Sequence, residues 1–367
     1  MLVPKKPSYK IKNFFQFKTL EPQDIWQKLL FFKSGCDALI FALQNLKIMP
    51  GSKIIIPAYI CKSVPIKLKE YKYEPIFVDI KPDLSIDNDS ILKLVNSDQI
   101  SAIMLVDYFG YQQKENISLA EQLKKHNISI LIDRCHSNIP SDGDLDSLNH
   151  IDAIIYSFKK TFSVKNGGAL LTKGYESNIK RDIFLNDLFF FSLKICEMII
   201  FKLGWPNIYS KLFDSIKRIK IFKRKAILSA PKISPLVLLP YSLYNQLADS
   251  KSLKNIVSKR IDNHVRMKNF ALSNKIPFLF HHQEDKYAPQ IFPIIDKNTN
   301  IVNFLNKNGI GAYSWPGEDL YNYVTKNKHL FPNTINANNQ IICTPIHQDI
   351  NTRQLKKLKE TLLRFRS

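Results

Sequence analysis

The sequence predicts an α/β protein with a mostly parallel sheet in its first half, followed by a smaller α+β domain. In the first half, short apolar runs rich in β-branched residues alternate with helix-length polar–apolar patterns, which is typical of βαβ units. From about Ser250 the pattern changes to a basic helix followed by mixed strands and helices. With 367 residues, the chain is long enough for one large domain and one smaller domain.

The strands predicted in the first half are short apolar runs bounded by polar or turn residues. They span residues 53–57, 75–79, 102–106, 128–133, 151–157 and 168–172. Helices are predicted at 38–46, before a break at Pro50-Gly51, and at 119–126. In the second half we expect helices at 258–273 and 300–307, strands at 290–295, near Ala312 and at 340–343, and a final helix from Thr352.

This pattern divides the chain into four parts. We expect an N-terminal segment (1–30), a large cofactor-binding domain (31–183), an apolar and basic insertion with connecting helices (184–249), and a small domain (250–367). Ligands of parallel sheets bind at the carboxyl ends of strands. Tyr59, Asp107, Asp133 and Ser157 are all predicted to lie at such ends.

The insertion contains an apolar run at 184–201 and a basic run at 217–225. Charges such as Lys194 and Glu197 interrupt the apolar run, which argues against a membrane-spanning helix. The segment 184–225 is compatible either with peripheral contact to an anionic membrane surface or with a dimer-interface or substrate-covering helix. We favour the second alternative, because aromatic-rich helices are usually buried in protein.

Charge and cysteine usage narrow the class of protein further. The net charge of +21 is compatible with an anionic small-molecule partner, or it reflects the lysine-rich composition, since the basic residues are scattered. The 5 cysteines are odd in number and form no Cys-x-x-Cys pair, which argues against a disulfide framework and a zinc site. The N-terminus carries no apolar signal region. We therefore expect a cytoplasmic protein with no metal and no nucleic-acid partner.

A lysine and an aspartate follow two of the predicted strands and point to pyridoxal 5′-phosphate (PLP). Lys160, or its neighbour Lys159, follows the strand that ends at Ser157 and could form the Schiff base that this cofactor needs. Asp133 ends another apolar strand and could face the pyridine nitrogen, whose protonation makes the ring an electron sink. His136 could meet the phenolic oxygen of the cofactor.

The phosphate group would need backbone N–H groups at the start of a helix. The run Ser34-Gly35-Cys36-Asp37 precedes the predicted helix 38–46 and offers a capping residue and a glycine for close approach. The hydroxyl of Ser157 could donate a hydrogen bond to the same phosphate. The ring of Tyr59 could cover one face of the cofactor.

Each of these residues also has a simpler interpretation. Asp133 could pair with Arg134 or cap a turn, and His136 could be a half-exposed loop residue. Tyr59 could be a surface aromatic, and Lys160 a solvated surface charge. The order and number of the signals favour the cofactor site.

The same segments resemble the DegT/StrS-type family of PLP-dependent sugar aminotransferases, which have fold type I. The resemblance extends over about residues 32–171 and resumes weakly at 343–349. It is carried by residues 34–39 (SGCDAL), 50–57 (PGSKIIIP), 75–87 (PIFVDIKPDLSID), 107–110 (DYFG) and 132–136 (IDRCH), which are similar to the family's SG-T-x-AL, PGDEVIVP, PVFVDIDPDT-x-x-ID, HLYG and IEDxAH.

The lysine segment departs from the common family pattern. Residues 157–168 (SFKKTFSVKNGG) stand where the family usually has SFHxTKxxxxGEGG, and the common lysine position falls on Phe162. A shorter branch of the family, similar to SFRKxxPVPDGG, matches better and implies that Lys160 holds the cofactor and Lys159 replaces the arginine. Residues 57–61 (PAYIC) and 344–349 (TPIHQD) also resemble that branch.

The resemblance implies a homodimeric aminotransferase that transfers an amino group from an amino acid, plausibly glutamate, to a nucleotide-linked keto-sugar for surface polysaccharide. The family's N-x-R loop, which reaches the partner subunit's phosphate, is not evident after Ser229. Two alternatives stay open: other PLP chemistry, such as sugar deoxygenation or an amino-acid reaction, and a non-catalytic binding or assembly protein if Phe162 truly replaces the lysine.

Overall fold

The computed structural model describes most of the chain. It covers residues 1–7, 24–97, 99–136, 139–162, 164, 166–175, 177, 180–183, 192, 232–282, 288–298 and 300–366. The segment 184–225, for which the sequence left two alternatives open, lies outside the described residues except for Ser192. Among the described residues, no helix combines the length and the apolar character needed to cross a membrane.

Two main sheets organise the described part of the chain, together with a short two-stranded pair formed by β8 and β9. The strands, in chain order from β1 to β12, are Leu29–Phe32, Lys53–Pro57, Glu74–Val78, Ile100–Val106, Ser129–Asp133, Ala153–Ser157, Gly168–Thr172, Lys180–Arg181, Leu238–Leu239, Ile291–Ile295, Tyr313–Ser314 and Ile341–Pro345.

Helices flank these sheets. From α1 to α12 the described helices are Asp24–Gln27, Gly35–Asn45, Ser63–Glu70, Asn88–Ser97, Lys114–Leu123, Asp142–Ser147, Tyr241–Leu247, Ser250–Ser273, Ile301–Lys307, Asn322–Lys326, Pro332–Gln340 and Thr352–Arg366.

The large sheet has seven strands in the order β1-β7-β6-β5-β4-β2-β3. Strands β2 to β6 pair in parallel, whereas β7 runs antiparallel to both β6 and β1. The α/β fold with a mostly parallel sheet is therefore confirmed. The carboxyl ends of β4, β5 and β6 are neighbours, so Asp107, Asp133 and Ser157 reach the same edge of the sheet, as the sequence predicts.

Both faces of this sheet are buried, because alternate residues of each strand point to opposite sides. Ile54 and Ile56 pack in one apolar cluster, together with Leu39 of α2. Ile55 packs in a second cluster on the other face, which also contains Phe162. Helices thus cover the sheet on two sides and leave its strand ends as the natural place for a ligand.

A smaller antiparallel sheet, in the order β10-β12-β11, forms the C-terminal unit. The long helix α8 connects it to the large sheet: Leu253 near its start packs in a cluster of the large sheet, and Met267 near its end packs with the small sheet. The N-terminal residues also join this unit, since Val3 is 1% exposed and its N–H donates to Gly309 O at 2.8 Å.

Candidate active site

The carboxyl end of β5 carries Asp133, and the chain turns directly after it. Asp133 Oδ1 accepts the N–H of Cys135 at 2.7 Å, which fixes the carboxylate over the turn. Successive side chains of an extended segment point to opposite sides. Arg134 therefore points away from Asp133, and the alternative that these two residues form an ion pair is wrong.

Arg134 instead lies in a buried ionic network. Its Nε donates to Asp107 Oδ2 at 2.7 Å and its Nη1 to Asp144 Oδ1 at 2.6 Å. Tyr156 donates its hydroxyl to Asp144 Oδ2 at 2.6 Å. Burial opposes the charge of Arg134, but Asp107, Tyr156 and Asp144 outweigh burial and raise the pKa of the guanidinium above its usual range. The network ties the ends of β4 and β5 to α6.

Lys160 ends a 3₁₀ turn that directly follows β6. Its side chain is half-buried, whereas that of Lys159 is exposed. The positive charge of Lys160 reaches the turn after β5: together with burial, which is the larger cause, it lowers the pKa of His136 well below the usual value. It also counteracts the larger effect of burial, which raises the pKa of Cys135. Because β5 and β6 are neighbouring parallel strands, the turn that carries Lys160 lies at the same sheet edge as Asp133 and His136.

Phe162, which stands at the common family position of the lysine, is buried in an apolar cluster of the sheet. Its ring is 2% exposed and stacks on Phe158 with 6.0 Å between ring centroids. Both rings belong to the apolar cluster on the second face of the sheet, together with Phe31. Phe162 is therefore a core residue, and the geometry favours Lys160 as the amine at the strand ends.

His136 is buried, with 4% of its side chain exposed, so a half-exposed loop position is wrong. The N–H of Phe109 donates to its Nδ1 at 3.1 Å, which leaves the proton of the neutral ring on Nε2. The ring stacks in parallel on Phe109 and meets the edge of Trp315 at 4.7 Å between centroids. Because its pKa is lowered, His136 is a neutral hydrogen-bond donor at ordinary pH.

Tyr59 is fully buried and is not a surface aromatic. Its hydroxyl donates to the carbonyl of Trp315, and its ring packs against Tyr108 and Trp315 at 5.4 and 5.1 Å between centroids. Burial raises the pKa of the Tyr59 hydroxyl well above its usual value. Sequence reasoning missed Trp315, which comes from the C-terminal unit and closes an aromatic wall around His136 and Tyr59.

The start of α2 has the capped form that the sequence predicts. Ser34 is the N-cap: its Oγ accepts the N–H of Asp37 at 3.2 Å and donates to Asp37 Oδ2 at 2.7 Å. Asp37 also pairs with Lys67 at 3.4 Å, and the N–H of Ala38 bonds to Ser34 O. Ser34 and Asp37 are thus occupied with capping, so the donors left for an anion are the first-turn amides of Gly35 and Cys36.

Glycines allow this helix start to contact the strands. A Cβ added at Gly168 of β7 would lie 2.1 Å from Ser34 O, and one added at Gly35 would lie 2.7 Å from Cys135 Sγ. Ser157 at the end of β6, which is 9% exposed, pairs with Gly168. The start of α2, Ser157 and the turn after β5 therefore meet at one place.

Cys36 places a thiol in the first turn of α2, next to the amides that would hold an anion. Burial raises the pKa of its thiol to about 11, so the group is neutral. A neutral thiol beside two first-turn amides adds no negative charge that would repel an anion. The assembled set offers an amine, a carboxylate, a neutral imidazole and a helix start at one sheet edge.

Comparison with known families agrees with this arrangement. Residues 27–186, a little under half of the chain, match the model of the DegT/DnrJ/EryC1/StrS aminotransferase family. A UDP-4-amino-4,6-dideoxy-N-acetyl-β-L-altrosamine transaminase of Helicobacter pylori is 30% identical over 159 residues. That alignment covers 42% of this chain and 42% of the relative. The resemblance seen in the motifs is therefore confirmed for this part of the chain.

Solved structures match over nearly the whole length. The aminotransferase PseC of Helicobacter pylori, involved in the biosynthesis of pseudoaminic acid, has a TM-score of 0.63 at 18% identity, covering 99% of this chain and 97% of that chain. NtdA of Bacillus subtilis, solved with bound PMP, has a TM-score of 0.66 at 16% identity, covering 96% of this chain and 79% of that chain. The fold is that of the fold type I aminotransferases.

Proposed function

Because the chain has the fold and, over residues 27–186, the sequence pattern of the DegT/DnrJ/EryC1/StrS aminotransferases, we propose that it is a PLP-dependent sugar aminotransferase. One observation carries the proposal: the half-buried Lys160 lies on the side of Asp133 and His136, while Phe162 is in the core. A lysine near Asp133 and His136 supports this proposal over a non-catalytic protein, because the Schiff base needs such an amine.

The residues present fit PLP. The amides of Gly35 and Cys36 and the hydroxyl of Ser157 would hold the phosphate, and the amine of Lys160 would bind the aldehyde carbon covalently. Asp133, held by the N–H of Cys135, would face the pyridine nitrogen. When bound, the cofactor supplies an electron sink for the carbon that loses its proton.

The chain's own residues orient the reactants and move the proton. As general base, Nζ of Lys160 would take the proton from the α-carbon of the amino donor, and as general acid it would deliver that proton to the adjacent carbon of the cofactor. Neutral His136 would donate its Nε2–H to the phenolic oxygen of the cofactor, because its Nδ1 already accepts the N–H of Phe109. Tyr59 and Trp315 exclude water from this edge, which strengthens every charge interaction inside it.

We further propose that the acceptor is a nucleotide-linked keto-sugar used for surface polysaccharide, and that the donor is an amino acid. The transaminase of Helicobacter pylori acts on a UDP-linked amino sugar, by its name, and the net charge of +21 suits a diphosphate substrate. We also propose a cytoplasmic homodimer with the four-part division 1–30, 31–183, 184–249 and 250–367.

The first experiment identifies the lysine. Purified protein is loaded with PLP, treated with borohydride and analysed by intact mass and visible absorbance. We expect the cofactor to stay attached to the native protein and to Lys159→Ala, and to be lost from Lys160→Ala. Attachment to Lys160→Ala but not to Lys159→Ala would show that the alignment with the shorter branch is wrong.

The second experiment identifies the reaction. Loaded protein is incubated with glutamate and a panel of UDP- and dTDP-linked keto-sugars, and products are analysed by mass spectrometry. An amino-sugar together with 2-oxoglutarate supports the proposal. A deoxygenated sugar, or turnover of amino acids alone, would assign the site to other PLP chemistry.

A further inference from the structure

Asp107, at the end of β4, holds the chain on both sides of the Asp133 carboxylate. Its backbone N–H donates to Asp133 O at 3.0 Å, and its Oδ2 accepts Nε of Arg134 at 2.7 Å. Arg134 also donates its own backbone N–H to Ile155 O of β6 at 2.8 Å. The peptide between Asp133 and Arg134 is therefore held by both neighbouring strands, and by a side-chain ion pair to one of them.

Asp107 is itself fixed by two further donors. Its Oδ1 accepts the N–H of Gln113 at 3.1 Å and the side-chain N–H of Asn116 at 2.9 Å. Asn116 donates in addition to Val106 O at 3.2 Å. Asp107 is only 1% exposed, so these donors and Arg134 together provide the hydrogen bonds that water would otherwise give this carboxylate.

Arg134 is fixed at its other end as well. Its Nη1 donates to Asp144 Oδ1 at 2.6 Å, and Asp144 Oδ2 accepts the hydroxyl of Tyr156 at 2.6 Å. All three side chains are buried. A buried ion pair often contributes no more stability than apolar residues of the same size would, and in some proteins it instead selects one geometry. We therefore expect this network to fix one geometry of the turn after β5.

The same end of β4 also holds His136. The N–H of Phe109 donates to Nδ1 of His136 at 3.1 Å, and the two rings stack with 5.6 Å between their centroids. Residues 107–109 thus contact the turn at Asp133, at Arg134 and at His136. In the proposed site, Asp133 and His136 meet the pyridine nitrogen and the phenolic oxygen. The orientation of the cofactor ring therefore depends on how these two side chains are held relative to each other.

The ion pair is not prescribed by the family motifs that the chain resembles. Asp107 stands at the histidine of HLYG, and Arg134 occupies the position that IEDxAH leaves open. These two residues contact each other in the structure. Either charge alone would be costly in the interior, so each position requires the residue found at the other.

We propose that Asp107 and Arg134 are positioning residues for Asp133 and His136. The ion pair sets the turn after β5 so that the Asp133 carboxylate reaches the pyridine nitrogen while His136 faces the phenolic oxygen. This assignment rests on the proposed aminotransferase function and adds to it two residues that touch neither the cofactor nor the substrate. Their replacement should change how the bound cofactor is held and leave donor binding as it is.

The first experiment compares PLP-loaded native protein with Asp107→Asn. An amide has a single oxygen, so the variant cannot accept from Arg134 on one side and from the donors of Gln113 and Asn116 on the other. We expect kcat to fall about tenfold or more with the glutamate KM within about twofold of the native value, because the reacting geometry changes and donor binding does not. The visible absorption band of bound PLP should shift, because the groups that tune the ring move. Asp152→Asn, the same change at the opposite edge of the sheet, should match the native protein in kcat, KM and absorbance.

Hydrogen exchange tests the same assignment in protein without cofactor. The N–H of Cys135 donates to Asp133 Oδ1 at 2.7 Å, so its exchange rate reports whether the turn is held. In Asp107→Asn we expect this amide to exchange about tenfold faster than in the native protein, as followed by NMR. In Asp152→Asn it should exchange at the native rate. The urea midpoint of each variant is measured alongside, so that every comparison is made on folded protein.

Arg134→Lys is the second variant, in case Asp107→Asn does not fold. It keeps the positive charge but has one nitrogen in place of the two that bond Asp107 and Asp144. We expect the same changes in absorbance and amide exchange, with kcat lower by about threefold. A lower urea midpoint with native kcat, absorbance and exchange rate, in whichever variant folds, would show that the pair only stabilises the fold and would overturn the assignment. So would a change confined to the glutamate KM. Native protein that binds no PLP would instead overturn the proposed function.

Discussion

Arg134 and Asp107 form a buried ion pair, with 2.7 Å between Nε and Oδ2, that joins the ends of two neighbouring parallel strands. Asp107 also accepts the side-chain N–H of Asn116 at 2.9 Å and the N–H of Gln113 at 3.1 Å. Even so, burial outweighs these partners and raises the pKa of Asp107. The charged form of the Asp107 carboxylate therefore depends strongly on its ion pair with Arg134.

Replacement of Arg134 by Met should destabilise the protein strongly. It leaves the carboxylates of Asp107 and Asp144 buried without their cation, and removing one partner of a buried pair costs about 3–5 kcal/mol. Urea unfolding followed by circular dichroism measures the difference.

The pair Lys62–Asp319, at 2.7 Å but largely exposed, gives the control. Lys62→Met should leave the urea midpoint unchanged, because exposed ion pairs are screened by water. If Arg134→Met has the same urea midpoint as the native protein, the ionic network around Arg134 does not stabilise the fold.

Gly168→Ala should disrupt the start of α2. The new Cβ would lie 2.1 Å from Ser34 O and 2.8 Å from the N of Gly35, and both are backbone atoms that cannot turn away. We expect a loss of about 1–3 kcal/mol in the free energy of unfolding, as for other overpacked sites. We also expect weaker PLP binding, measured by fluorescence titration, because the displaced amides belong to the proposed phosphate site.

Gly143→Ala is the matched control for this substitution. Gly143 lies in α6, and the nearest atom to an added Cβ is Ser141 Oγ at 3.8 Å. Alanine favours helix over glycine by about 1 kcal/mol, so stability should stay the same or rise. If Gly168→Ala binds PLP as tightly as the native protein does, the contact between Gly168 and the start of α2 has no role in the site.

The sequence predicted most strands of the large sheet well, because β-branched runs bounded by polar residues are a strong local signal. Strands β2 and β7 have the predicted bounds, 53–57 and 168–172. It did not predict β1, since the run Leu29–Phe32 has only four residues and no alternation. It also did not predict α3, which contains Pro65 within its first turn.

The sequence predicted the cap of α2 and the shared edge of the strand ends, but not the contacts that the C-terminal unit makes there. Ser34 caps α2 as expected, whereas Trp315 contacts Tyr59 across 256 positions. No local pattern encodes such contacts. The pairing of Asp133 with Arg134 failed for a geometric reason, because neighbouring side chains diverge in extended backbone.

Asp133→Asn should reduce turnover by orders of magnitude and leave the fold intact. Asparagine keeps the acceptor for the N–H of Cys135 but lacks the negative charge that would hold the pyridine nitrogen protonated. The rate is measured at saturating PLP. Asp152→Asn is the control, since Asp152 precedes β6 at the opposite edge of the sheet and its side chain accepts the N–H of Ile130 at 2.8 Å. A near-normal rate in Asp133→Asn would remove this residue from the site.

Acid should lower the stability of the folded protein through His347. Its Nε2 donates to Pro4 O at 2.8 Å, while Nδ1 accepts the N–H of Asp349 at 3.3 Å, so the folded protein holds the neutral ring. Burial lowers its pKa from 6.5 to about 4; the bond to Pro4 and the charge of Asp349 oppose this shift, and Arg260 adds to it.

The direction of the change in stability with pH follows from the number of protons bound in the folded and unfolded states. Between about pH 6.5 and pH 4 the unfolded chain binds a proton at His347 that the folded chain does not, so stability falls as the pH falls through this window. The effect is on the order of 3 kcal/mol, since one pKa unit corresponds to about 1.4 kcal/mol. His347→Gln keeps a donor for Pro4 O but does not titrate, so its urea midpoint should depend less on pH over this window. His329→Gln, the same change at an exposed position, should keep the native dependence, and an equal slope in all three proteins would show that His347 does not couple folding to acid.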